Sequence, residues 1–165
     1  MKKNFLLATL ISFTTFHFCL AQDKKLPSVT VSDVDGNKVD ISTLTDSGKI
    51  IILDFWATWC VPCKKELTNI MELYPDWQKN YNVELIAVSI DDARNTTKVK
   101  PTVEGLTWPY RVLVDPNGDL KRILGFQNIP YVLVAKDGNI VYQHTGYVEG
   151  DEFELEEQLK KIAGK

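Results

Sequence analysis

From Lys49 the chain reads KIIILDF, an apolar and mostly β-branched run that lacks the polar alternation of a half-exposed strand. Such a run predicts a strand buried on both faces, at the centre of a partly parallel sheet. Upstream, SVTVSDV and KVDIS alternate apolar and polar positions around Asp35-Gly36-Asn37, which predicts an N-terminal hairpin. Downstream of Cys60, the residues Leu67, Ile70, Met71 and Tyr74 recur at helical spacing, with Lys64, Lys65, Glu66 and Glu72 expected mostly off that face. Pro75 is expected to end or kink the helix, with room for a further turn through Trp77. The run NVELIAVSI then supplies a second apolar strand, and strand, helix and strand make a right-handed βαβ unit.

The elements that follow are shorter. Residues 91–105 read as a helix capped by Asp91 or Asp92, and YRVLVDPNGDLKRILG as a strand, a turn and a short helix ending at Gly125. YVLVAKDGNIVYQH is a hairpin turning at Lys136 to Asn139, and a last helix over roughly 151–163 presents Leu155, Leu159 and Ile162 on one face before Gly164. The fold class this predicts is α/β, a mixed sheet flanked by helices, with an N-terminal β-hairpin and a central α/β insertion.

Composition narrows the function. The 165 residues carry a net charge of -3, and the lysines are dispersed among carboxylates, so no basic stripe offers itself to nucleic acid. Residues 1–21 combine Lys2 and Lys3, an apolar run from Phe5 to Leu20 and a small Ala21, the pattern of a cleaved export signal. The expected organisation is therefore a signal over 1–21 and one domain over 22–165, exported to a periplasmic-type compartment. Removing the signal removes Cys19 and His17, leaving Cys60, Cys63 and His144. A pair of cysteines two residues apart closes too small a loop to serve as a structural staple, so chemistry is the better use for it.

Two thiols spaced C-x-x-C at a helix start can reach one another, and the unpaired N–H groups of the first turn favour negative charge on the first. Cys60 is the expected nucleophile and Cys63 the resolving thiol, with Pro62 tolerated in the first turn. A metal half-site and a small structural disulfide are the alternatives, but a closed zinc site needs four ligands and the mature chain adds only His144 and carboxylates. His144 is expected to follow the last strand and face solvent.

The segment DFWATWCVPCKKE resembles the active site of the thioredoxin superfamily, whose W-C-x-P-C-K pattern it matches from Trp59 to Lys64. The hairpin, the FWATWC spelling, the element around Asp115 to Gly125 and the export signal are similar to the TlpA/ResA subgroup of exported thiol-disulfide oxidoreductases. That resemblance implies a cis-proline at Pro130 beside the cysteines and a client-binding surface of Trp59, Pro62, Ile129 and Pro130. Asp54 stands where thioredoxin has its buried aspartate, and the resemblance makes it the proton acceptor for Cys63. Tyr131 departs from the threonine common after the cis-proline, Thr68 replaces a helix proline, and Val61 stands where some of the subgroup carry glutamate.

The activity implied is reduction of protein disulfides by a monomer without metal or organic cofactor. Its partners are disulfide-containing clients and a thiol electron donor that could be a membrane protein. An oxidase or isomerase and a copper-binding module are the alternatives. Peroxiredoxins share the fold, but their P-x-x-x-T-x-x-C pattern needs Pro and Thr where Leu53 and Ala57 stand.

Overall fold

The computed structural model describes residues 24–165, so the expected export signal lies outside the described residues. The apolar run becomes β3 (Ile50–Trp56), in which every residue is buried. It lies inside the sheet, parallel to β4 (Val83–Ser89) on one side and antiparallel to β6 (Tyr131–Lys136) on the other. The N-terminal hairpin, β1 (Thr30–Asp33) and β2 (Lys38–Asp40), forms one edge, joined to β4 through β5 (Arg111–Val114). With β7 (Asn139–Thr145) at the other edge, the described residues form one mixed sheet in the order β2-β1-β5-β4-β3-β6-β7.

Alternation along β3 divides the core in two. Ile50, Ile52 and Trp56 pack with α1 (Val61–Tyr81), α2 (Val99–Leu106) and α4 (Asp151–Ala163). Ile51, Leu53 and Phe55 face the other layer, with Ile41 of a 3-10 turn and with Leu120 and Leu124 of α3 (Asp119–Leu124). Asp54, by the same alternation, points into the first layer among apolar side chains.

Three expectations need correction. Pro75 does not end α1, which continues to Tyr81 because Trp77 and Tyr81 prolong the buried stripe beyond it. The region after β4 is not helical from Asp91: a short 3-10 turn starts at Thr96 and α2 only at Val99, because both aspartates hold loop backbone instead. Asp92 accepts the N–H groups of Arg94 and Asn95. Pro101 is harmless in the first turn of α2, where its missing N–H would have had no helical partner. His144 does not follow the last strand but lies within β7, opposite Val132 and half-buried.

The departures at Tyr131 and Thr68 have structural reasons. Tyr131 turns into the second layer, stacked on Phe126 with ring centroids 4.3 Å apart. Thr68 uses its hydroxyl to accept the indole N–H of Trp108 at 3.2 Å.

Candidate functional site

The turn Ala57 to Cys60 leaves the end of β3, and Cys60 is the N-cap of α1, with extended backbone (φ -85°, ψ 100°). Cys60 and Cys63 are joined in a disulfide with Cα atoms 5.4 Å apart. The backbone N–H of Cys63 donates to Cys60 Sγ at 3.3 Å, so the first turn of the helix directs a donor at that sulfur. Cys60 is 4% exposed and Cys63 0%, a smaller contrast than the sequence suggests. Accessible surface around the pair comes from neighbours: Trp59 is 65% and Val61 71% exposed, and Pro62 is also exposed.

Ile129-Pro130 is a cis peptide, as the resemblance implies. Pro130 precedes β6, whose first residue Tyr131 pairs with Phe55, so it lies at the same end of the sheet as the cysteines. Its carbonyl accepts the N–H of Gly146 at 2.8 Å, which fastens the loop after β7 to this end. Ile129 is half-buried against both core layers.

Beneath the helix start lies Asp54, with 0% exposure and no hydrogen-bond partner for either carboxylate oxygen among the described residues. Burial pushes its pKa up to about 8. Glu66 is the residue that sequence reasoning misses: it is 3% exposed, with no hydrogen-bond partner for Oε2 among the described residues. Burial raises its pKa to about 10, helped by repulsion from Asp54. Its placement corrects the expectation that Glu66 lies off the buried face of α1. The signal was present, since Cys63, Glu66, Leu67 and Ile70 stand at i, i+3, i+4 and i+7 of one face.

Asp91 is a second missed residue. It is buried, and its carboxylate accepts Thr58 N–H at 2.8 Å, Thr58 Oγ1 at 2.7 Å and Ser89 Oγ at 2.9 Å. The end of β4 thereby holds the turn that presents Trp59 and Cys60. No spacing rule singles out such a contact, which closes across 33 residues of chain.

Among the described residues no group of three His, Cys, Asp or Glu side chains is arranged to hold a metal ion. What the site can do is covalent sulfur chemistry beside buried acids. The AhpC/TSA family profile matches residues 22–149. The chain belongs to this family. It is 33% identical to the thiol-disulfide oxidoreductase ResA of Bacillus cereus (strain ATCC 10987 / NRS 248), over 98% of this chain and 99% of that relative.

A thioredoxin-like protein from Porphyromonas gingivalis, solved in solution, superposes with a TM-score of 0.74 at 46% identity, covering 84% of this chain and 92% of its own. A Chlorobium tepidum structure assigned as the thiol:disulfide interchange protein DsbE gives 0.73 at 27% identity, covering 86% and 96%. Fold and family agree that the protein is a thioredoxin-like thiol-disulfide oxidoreductase.

Proposed function

We propose that the protein is exported and reduces disulfides in client proteins through Cys60 and Cys63. The observation that carries this reading is a C-x-x-C disulfide at the N-terminus of α1, above a buried aspartate that lacks a hydrogen-bond partner among the described residues. In the reduced protein the Cys60 thiolate, favoured by the first-turn N–H groups, attacks a client disulfide and releases one client thiolate. Cys63 then gives its proton to the Asp54 carboxylate and attacks Cys60 Sγ, which releases the second client sulfur as a thiolate and closes the Cys60–Cys63 disulfide. Two electrons pass to the client, and a thiol donor restores the dithiol.

Trp59, Pro62, Ile129 and Pro130 supply the apolar surface for the client backbone around the cleaved bond. Export rests on the residue 1–21 pattern. Among the described residues no helix is long and apolar enough to cross a membrane.

The test is a pair of variants assayed on insulin disulfides. Cys60→Ser should abolish reduction, and Cys63→Ala should accumulate covalent protein–client adducts that dithiothreitol releases. Adducts forming through Cys63 in the Cys60→Ser protein would reverse the assignment.

A further inference from the structure

A base beneath Cys63 is useful only if its proton can leave, and Asp54 is sealed. Its neighbours across the sheet are Ala87 on β4 and Val132 on β6, both buried and neither able to carry a proton. Leu67 and Ile70 of α1 are fully buried in the same layer, and the Tyr110 hydroxyl, whose pKa is raised by burial and by the nearby Asp54 charge, is tied to the Leu67 carbonyl at 2.8 Å. The register nevertheless continues polar beyond Val132. Val132 pairs with His144, and directly opposed residues share a face of the sheet, so Asp54, Val132 and His144 form one row beneath α1 and α4. Two strand spacings separate the ends of the row by about 10 Å.

Glu66 of α1 is buried in the same layer, near enough to Asp54, Asp151 and Glu152 for their charges to add to burial in raising its pKa. Glu66 and His144 both line a cavity of about 10 Å³, together with Val132, Tyr142, Asp151, Glu154 and Leu155. That is about the least volume that holds one water molecule, with the polar side chains of Glu66, His144 and Asp151 among its lining. At its outer end His144 Nε2 is 3.5 Å from Asp151 Oδ2, with the His side chain 32% and the Asp side chain 20% exposed. Asp151 is held in place by the N–H of Val148, which it accepts at 2.8 Å.

We propose that His144, paired with Asp151 over this cavity, is the solvent port through which protons enter and leave the buried Asp54–Glu66 carboxyls. The proposal rests on the reading of Asp54 as the proton acceptor for Cys63. When Cys63 resolves a mixed disulfide, its proton passes to ionised Asp54. Neutral Glu66 then hands its own proton across the cavity to the imidazole as it takes up the one from Asp54, and the imidazole releases a proton to bulk water. Reduction of the disulfide by the thiol donor draws protons in by the reverse relay. The charged and titratable groups that face His144 are Asp151 and Glu154 of α4, Glu66 of α1 and Tyr142 of β7. A port changes how fast the pair exchanges protons and leaves its equilibrium alone, whereas a structural histidine would affect both.

The test mixes the reduced full-length protein with 5,5′-dithiobis(2-nitrobenzoate) and follows the two releases of thionitrobenzoate, the first from attack by Cys60 and the second from resolution by Cys63. In a bulky sulfonate buffer at pH 7, His144→Ala and His144→Gln should slow the second release about three- to tenfold without altering the first. Added imidazole should restore the rate of His144→Ala, and the glutathione redox potential of both variants should equal that of the parent. An unchanged second release in both variants, or a slowing that imidazole does not relieve and that comes with a shifted potential, overturns the port. Asp54→Asn separates the two ideas: if it too leaves the second release unchanged, the base reading fails; if it slows that release while the His144 variants do not, only the port fails.

Discussion

Asp54 concentrates the conflict between stability and chemistry in one side chain. Its carboxyl titrates near 3.8 in an unfolded chain and near 8 in the fold. Between those values the unfolded state gives up a proton that the folded state keeps, so this group makes stability fall as pH rises from about 4 to about 8. Asp54→Asn removes the titration and should stabilise the protein at pH 7 by roughly 2–4 kcal/mol, with a flatter stability–pH curve in urea unfolding. The same variant should keep Cys60 attack but lose the rise of the resolution rate as pH approaches 8. Unchanged resolution from pH 6 to 8 would leave Asp54 a purely structural acid. Trp59 poses the opposite case, a large aromatic left 65% exposed beside Cys60. Trp59→Ala should raise the KM for insulin several-fold and leave reaction with a small aromatic disulfide unchanged, because it removes client contact and not sulfur chemistry.

At the scale of elements, two devices aim the cysteines. One is α1, whose buried stripe of Cys63, Leu67, Ile70, Tyr74, Trp77 and Tyr81 overrides the proline at 75. Pro75 is exposed, so Pro75→Ala forfeits no packing and should raise stability by about 1–3 kcal/mol in urea unfolding. The other is the Asp91 clasp on Thr58, where Asp91→Ala should cost about 1–3 kcal/mol and slow alkylation of Cys60 by loosening its turn. These elements also mark what could be read from sequence. Strands β3, β4 and β6 were legible because unbroken apolar runs have few other uses, and the start of α1 was legible from Cys60 and Pro62. The length of α1 was not, since a local rule about proline competes with packing that only the fold supplies. Glu66 and Asp91 were missed for a related reason: burial of a carboxyl contradicts its usual preference, and only tertiary structure shows what surrounds or receives it.

Over the whole molecule these placements bear on the direction in which electrons flow. A thioredoxin fold becomes a strong oxidant when its surroundings stabilise the thiolate and so make the disulfide easy to reduce. Here the first-turn N–H groups favour the Cys60 thiolate, but Val61 adds neither charge nor a side-chain donor, and it points outward at 71% exposure. Two buried carboxyls stand in the same layer, Asp54 on β3 and Glu66 one turn along α1 from Cys63, which as neutral acids add no positive charge and when ionised oppose a thiolate. The balance favours the disulfide, which is the direction that the proposed reduction of clients requires. The potential should accordingly lie nearer the ~-270 mV of thioredoxin than the ~-120 mV of DsbA, a separation of roughly 7 kcal/mol for a two-electron couple. Equilibration of the full chain with dithiothreitol or glutathione buffers, read by thiol alkylation, measures it directly. A value above about -170 mV would mean that the helix N-terminus outweighs the acids, and would make the protein an oxidase or isomerase built on the same site. Asp54→Asn gives the internal control: above about pH 8, where Asp54 is ionised, removing its charge makes the thiolate easier to form, so the potential should rise relative to the parent, and a fall would show that the buried acid does not govern the couple.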